Sequence, residues 1–266
     1  ATADVVYGVV NPSAKLTETV PLRIEDAPSF GSFPGELGHV RYGEGILVGY
    51  RGYDARGLDV AYPFGHGLSY TSFAYADTAT SVTADGDLEV RVTVTNTGDR
   101  DGREIVQVYT GLDRSVVQRA PRELKAFASV EIAAGASRQV ALTIDRSDLA
   151  YWDLRVSDWV VEGGEYRVEV GASSRDIRLS TTVAIDGDEI DVPVTRDTSL
   201  GEVYANPAAA AALRTVIEGS AGGGGLAMSD DPDIRMMMAS FPVGRMGMFG
   251  LSDADLATFL EAANAR

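Results

Sequence analysis

Leu88, Val90, Val92 and Val94 alternate with Glu89, Arg91, Thr93 and Thr95, the period-two pattern of a strand with one buried and one wet face. A run of turn formers, Asn96-Thr97-Gly98-Asp99, follows at once. The alternation returns at Val140, Leu142 and Ile144 and again at Tyr166, Val168 and Val170, with turn signals at Ala134-Gly135 and Gly163-Gly164. Short strands, regular punctuation and no intervening helical period predict a seven-stranded antiparallel β-sandwich over residues 73–185. Val90, Val92, Val94, Leu142, Ile144 and Val168 should be buried in it. Trp152 and Trp159 are read as packing against the sandwich, with stacking on a carbohydrate as the alternative.

The pattern differs on both sides of that block. Residues 1–72 are rich in Gly, Pro and Tyr and hold only short apolar runs, such as Val5-Val6-Tyr7 and Ile46-Leu47-Val48, so they read as loops around a few short strands. So little apolar surface cannot close a core, and the segment is expected to dock on something larger. The sandwich itself is expected to fold without it. From about residue 186 the spacing turns helical: Leu200, Val203 and Tyr204, then an Ala-rich run to Leu213, Val216 and Ile217, with Pro207 placed to end or kink the first turn. A Gly222–Gly225 break follows, then Pro232 behind Ser229, Asp230 and Asp231 as a helix start, and Ser252 as the cap of a last helix, paired with Asp255. The fold class is therefore mainly β: an antiparallel sandwich preceded by a partial α/β segment and followed by a short helical tail.

Composition narrows the partners. The formal net charge is −16 with pI near 4.5, which supplies no basic footprint for nucleic acid or anionic lipid. No run of about 18 apolar residues is present to span a bilayer, and no basic-then-apolar leader opens the chain. The cytoplasm is the default compartment on that reading, although the chain opens without Met. The absence of Cys removes disulfides, thiolate metal sites and a Cys nucleophile. His39 and His66 are too few for a zinc site, so no metal or cofactor is expected. Lys occurs only at positions 15 and 125, beside abundant Arg, Ala and Gly, which fits a high-GC bacterial coding bias. All six Met lie in the tail, at positions 228, 236, 237, 238, 246 and 248, where such flexible side chains suit packing among the helices or against a partner subunit, including a second copy of the chain.

Three motifs in the first section carry a resemblance. Val10-Asn11-Pro12-Ser13-Ala14-Lys15-Leu16 with Val20-Pro21, then Tyr42-Gly43-Glu44-Gly45-Ile46-Leu47-Val48-Gly49-Tyr50-Arg51 with Tyr53-Asp54, then Tyr62-Pro63-Phe64-Gly65-His66-Gly67-Leu68-Ser69-Tyr70-Thr71 resemble family-three glycoside hydrolases. The block from Val92 to Gly98, Arg122 to Phe127 and Gly164-Glu165-Tyr166 resembles the fibronectin type III-like domain of those enzymes. The resemblance implies that residues 1–72 end an α/β sandwich domain, that 73–185 are the fibronectin type III-like domain, and that 186–266 form an acidic, Met-rich extension. It implies a retaining β-glycosidase, most simply a β-glucosidase acting on terminal β-D-glucosyl residues. Its nucleophilic Asp and acid/base Glu would lie on a polypeptide preceding the Asn11-Pro12-Ser13 motif. That N-terminal portion would be the partner, a β-glycoside the substrate of the assembled enzyme, and no residue of this chain inherits either catalytic role.

Within the chain, Tyr50, Arg51 and Tyr53 are candidates for the border of the sugar site. Glu44, between two glycines, is read as a structural carboxylate paired with Arg41 or Arg51, or as a residue behind the substrate pocket. His66 is read as bonding a loop. Ser69 lacks the Gly-x-Ser-x-Gly context of a hydrolase nucleophile. Two other classes remain: a stand-alone carbohydrate-binding module, and an assembly subunit joined through its tail.

Overall fold

A computed structural model describes residues 2–220 and 232–265. The chain divides into two compact units, one of residues 1–152 and 159–189, the other of residues 153–158 and 190–266. The Gly222–Gly225 break, Met228, and the residues preceding Pro232 lie outside the described residues.

The first unit opens with helix α1 (Thr2–Val6), followed by strand β1 (Val20–Pro21), helix α2 (Tyr50–Ala55) and strand β2 (Val60–Tyr62), which pairs antiparallel with β1. The short strands of this section lie outside its two apolar runs: Val5 and Val6 close α1, and Ile46-Leu47-Val48 lies in turns and loop. The sandwich follows, with β3 (Phe73–Val82), β4 (Leu88–Asn96), β5 (Gly102–Gly111), β6 (Glu123–Ile132) and β7 (Ser137–Ile144). A hairpin of β8 (Tyr151–Asp153) and β9 (Asp158–Val160) precedes β10 (Gly164–Ser173) and β11 (Asp176–Ile185). One sheet runs β3-β4-β7 and the other β11-β10-β5-β6, all neighbours antiparallel. Their inner faces share one core in which the six side chains expected to be buried are buried, beside Leu88, Val106, Val108 and Val170. The two tryptophans differ from expectation. They sit on the short β8-β9 hairpin, Trp152 47% and Trp159 64% exposed, with ring centroids 5.7 Å apart in an edge-to-face pair.

At the end of β4 the buried Asn96 meets its full hydrogen-bonding capacity. Its Oδ1 accepts from the Thr71 hydroxyl (2.6 Å) and the Gly98 N–H (3.1 Å), and its Nδ2 donates to the carbonyls of Arg100 (2.7 Å) and Ile132 (3.0 Å). One amide thus closes the 97–101 turn and ties it to the end of β6, where no apolar side chain could satisfy those groups. At the far end, Asp188 accepts from the Val161 N–H (2.7 Å) and from Arg146 Nη2 (2.7 Å).

In the second unit, α3 (Leu200–Ala205) begins with a complete capping box of Ser199 and Glu202, and α4 (Pro207–Gly219) starts at Pro207 behind the Asn206 cap. Pro207 therefore ends one helix and opens the next. Helix α5 (Pro232–Met238) and α6 (Asp253–Ala263) follow, the latter capped by the expected Ser252 and Asp255 pair. Leu200, Val203, Leu213, Met246, Leu256 and Phe259 form a separate core. Met238 and Met246 are buried in it, while Met236, Met237 and Met248 are exposed.

Two outcomes follow. Asn96→Ala should lower the unfolding free energy by at least about 2 kcal/mol, because it strands several buried polar groups. Arg91→Ala, which breaks only the exposed pair with Glu89, should cost no more than about 0.5 kcal/mol. Urea titration of both variants checks the contrast. The Asp188 carboxyl is held below its ordinary range, first by the Val161 N–H and then by Arg146. A depressed carboxylate stabilises the fold above its unfolded value, near pH 3.9, and that contribution fades as pH falls through the lower folded value. Asp188→Asn should therefore lower the unfolding temperature at pH 6, and the difference should shrink as the pH falls below the ordinary carboxyl range.

Candidate functional site

The resemblance motifs converge on the outer face of the β11-β10-β5-β6 sheet. Central strands of a sandwich usually alternate between buried and wet positions, but β5 is buried continuously from Val106 to Gly111. Val106 and Val108 face the core, while Gln107 and Tyr109 face residues 1–72. Gln107 Nε2 donates to the carbonyls of Gly65 (3.1 Å) and Ala172 (2.8 Å), and its Oε1 accepts from the Tyr109 hydroxyl (2.5 Å). Burial raises the Tyr109 hydroxyl's pKa, so it stays a neutral donor. Gly65 sits at φ +78°, and a Cβ there would collide with Gln107 Oε1, so both conformation and space require glycine.

Arg122 joins the second motif to the sheet. Its Nε donates to Glu169 Oε2 (2.8 Å), and its Nη1 to the Ser174 carbonyl (2.8 Å) and Asp54 Oδ2 (3.5 Å). Asp54 also accepts from Arg175 Nε (3.0 Å), and Glu169 from Arg167 Nε (3.1 Å). Burial would lower the Arg122 pKa, but bonding to Glu169 and the charge of Asp54 hold it above its ordinary value. The first motif is anchored similarly. Lys15 Nζ pairs with Glu104 (3.0 Å) and donates to the Ala172 carbonyl (3.1 Å). Asn11 Oδ1 accepts from the Ser69 hydroxyl (3.0 Å) and the Tyr70 N–H (2.8 Å), knitting the first motif to the third.

The candidate residues fall into this framework unequally. Tyr50 Oη accepts the Leu124 N–H (2.8 Å), and its ring stacks on Phe64 with centroids 4.6 Å apart. Tyr53 is buried at 4% exposure, with Arg56 over its ring at 5.9 Å. Arg51 lies over the Tyr50 ring at 5.9 Å and lines a cleft with Trp152 and Trp159. The structure thus brings Tyr50 and Arg51 together and places Tyr53 in packing. Glu44 forms no ion pair with Arg41 or Arg51 among the described residues; its Oε2 is buried without a hydrogen-bond partner, and Arg41 is exposed. Glu44 sits in a turn in which its carbonyl accepts the Leu47 N–H (3.0 Å), and Arg51 is instead placed over the Tyr50 ring. His66 bonds its loop through its main chain, receiving the Leu16 N–H (2.8 Å), and its ring lies 5.2 Å from that of Tyr62.

Sequence reading missed the Asp54–Arg122–Glu169–Arg175 network. Its signal was present, since Asp54 and Arg122 each sit within a motif that carried the resemblance. Chemically, the buried carboxylates Asp54, Glu104 and Glu169 are each engaged by a cation, which makes them anchors and leaves no poised acid beside a free nucleophile in this cluster.

Comparison with known proteins agrees with this architecture. A family model described as a Fibronectin type III-like domain matches residues 104–174. The first unit therefore carries a domain of that class. An exo-α-(1→6)-L-arabinopyranosidase of Bifidobacterium breve is 41% identical over 98% of this chain, and a thermostable β-glucosidase B of Acetivibrio thermocellus is 41% identical over 82% of it. The crystal structure of the Bifidobacterium adolescentis GH3 β-glucosidase covers 77% of the chain at 46% identity and a TM-score of 0.73. The chain spans about a third of the length of these relatives, covering 34%, 29% and 30% of them. It is the counterpart of a C-terminal portion of family-three glycoside hydrolases of the β-glucosidase type.

Arg122→Ala should lower the unfolding free energy by about 2 kcal/mol; this is less than the loss of a sole partner would cost, because Arg175 and Arg167 remain on the two carboxylates. Limited proteolysis should then cut within residues 1–72 faster than in the wild-type chain. Unchanged cleavage there would mean that Arg122 does not hold the segment.

Proposed function

We propose that the chain is the C-terminal part of a retaining β-glycosidase, acting with an N-terminal portion that supplies the nucleophilic Asp and the acid/base Glu. The observation that carries this reading is the motif cluster. Residues 1–72 spend their three motifs on docking to the sandwich, and relatives matched over almost the whole chain are glycosidases about three times as long. Residues 1–72 complete an α/β domain begun on the missing portion, residues 73–185 are the fibronectin type III-like domain, and residues 186–266 are an extension. The exposed apolar side chains of the first section, among them Val6, Val9, Val10, Phe33 and Leu37, fit a surface that the N-terminal portion covers. The unpartnered Glu44 Oε2 fits a carboxylate awaiting a donor from the same source. Tyr50, Arg51 and Tyr53 lie at the border of the sugar site, Tyr53 as its buried member. The exposed Met236, Met237 and Met248 leave room for a homo-oligomer through the tail.

The substrate is a terminal β-D-glucosyl residue. A second reading, an α-L-arabinopyranoside, draws on the relative matched over 98% of the chain.

The purified chain alone should release no more aryl aglycone from an aryl β-D-glucoside than buffer does, since it lacks the paired carboxylates that proximity and acid/base catalysis require. Co-expression with the barrel and preceding α/β segment of a relative should restore turnover, and running both aryl β-D-glucoside and aryl α-L-arabinopyranoside separates the two substrate readings. Turnover by the chain alone, lost in Glu44→Gln, would place the active site inside it.

A further inference from the structure

The β8-β9 hairpin brings both tryptophans of the chain to one cleft of about 750 Å³. That volume lies within the range of small-molecule sites, about 300–1,000 Å³. The cleft is also lined by Arg51, Gln118, Arg119, Glu123 and Lys125. Large aromatic side chains are costly to leave in water, and these two are about half exposed or more. The polar wall is ordered. Lys125 Nζ bonds Glu123 Oε2 (2.6 Å) and the Asp148 carbonyl (2.5 Å). Burial would raise the Glu123 carboxyl, but Lys125 first, then Arg51 and Arg119, hold it below its ordinary range. It is therefore an anionic acceptor at neutral pH, with Lys125 fixed beside it.

We propose that this cleft is a pyranoside-binding site, in which a sugar ring lies on Trp152 or Trp159 and its hydroxyl groups bond to Glu123, Gln118 and Arg51. Three features select that ligand class. A pyranose presents axial C–H groups that suit an indole face. Its edge of hydroxyl groups both donates and accepts, matching a carboxylate set among cationic donors. The wall sets Arg51, Arg119 and Lys125 against Glu123 and Asp148, and Arg119 is already paired with Glu162 behind it (3.3 Å), so the wall is close to neutral and asks for a neutral polyol and not for an anion. The choice of gluco-configured probe rests on the glycosidase reading; the stacking does not.

Because Trp152 and Trp159 are the only tryptophans, fluorescence excited on the red edge, where tyrosine does not absorb, reports this cleft alone. Titration of the purified chain with cellotetraose should give a saturable change in emission, absent with glycerol. Trp159→Ala should weaken binding about tenfold, read from the remaining Trp152, whereas Trp159→Phe should stay within about threefold. Glu123→Gln should also weaken binding, with an unchanged circular dichroism spectrum. The site is overturned if emission does not respond to cellotetraose, or if the response survives undiminished in Trp159→Ala. It is overturned too if the indoles respond only when the N-terminal portion is added, since the cleft is then an interdomain contact. A saturable response in an assembly that hydrolyses neither aryl glycoside upholds the site and defeats the glycosidase reading. Hydrolysis without any indole response does the reverse.

Discussion

Much of the first unit depends on the need to satisfy buried polar groups on the outer face of β5 and β10. Gln107 and Glu169 lie on central strands and are nearly inaccessible to water. A buried amide or carboxylate without partners costs several kcal/mol, more than most single contacts return. Residues 1–72 supply much of what is needed: the Gly65 carbonyl for Gln107, and Asp54 to share Arg122 with Glu169. The segment therefore covers a face of the sandwich that carries these groups. A sandwich that folds without it has to leave Gln107, Tyr109 and Glu169 facing water.

The same constraint explains why residues 1–72 read as poor in apolar content and rich in glycine. They bury little hydrocarbon of their own and hold their place through main-chain carbonyls brought close to the sheet, so the packing distance is set by residues without side chains. Gly65 meets Gln107 in this way, and Gly52 brings α2 so near the Leu47 carbonyl that a Cβ would collide with it. Motifs that look like chemistry in the sequence are here mostly docking. Asp54 and Lys15 serve ion pairs that fix loops, and Asn11 spends its amide on Ser69, Tyr70 and Asp101.

What could be read from the sequence follows from which faces are wet. Strand β4 keeps Glu89, Arg91, Thr93 and Thr95 off its core face, so its alternation is plain. Strand β5 is covered on both faces, and Gln107 and Tyr109 then interrupt the alternation that would have marked it. Asn96 was visible only as a turn former, although its four hydrogen bonds make it a joint between two strands. The hairpin tryptophans were read as packing against the sandwich, with carbohydrate stacking as the alternative; three-residue strands such as β8 and β9 give no pattern that separates an inward from an outward ring. For the candidate site the sequence named Tyr50, Arg51 and Tyr53, but apart from Ile46 the groups that share a cleft with Arg51 come from residues 117–125 and 147–159, distant in the chain and without a shared motif.

The helical unit was easier to read for a complementary reason: its determinants are local. Helices of 6 to 13 residues are marginal alone, so each needs its ends satisfied and one face buried. Both requirements leave marks within a few residues of one another, as Ser199 with Glu202, Asn206 before Pro207, and Ser252 with Asp255. The bonds of Glu202 to Ser199 and of Asp255 to Ser252 hold both carboxyls below their ordinary range. They remain ionised at the positive ends of their helices, where an anion is stabilising. Part of the acidity of this tail thus serves helix starts. Net charge taken over the whole chain could not show that, because it records how many carboxylates there are and not which of them a helix terminus has already engaged.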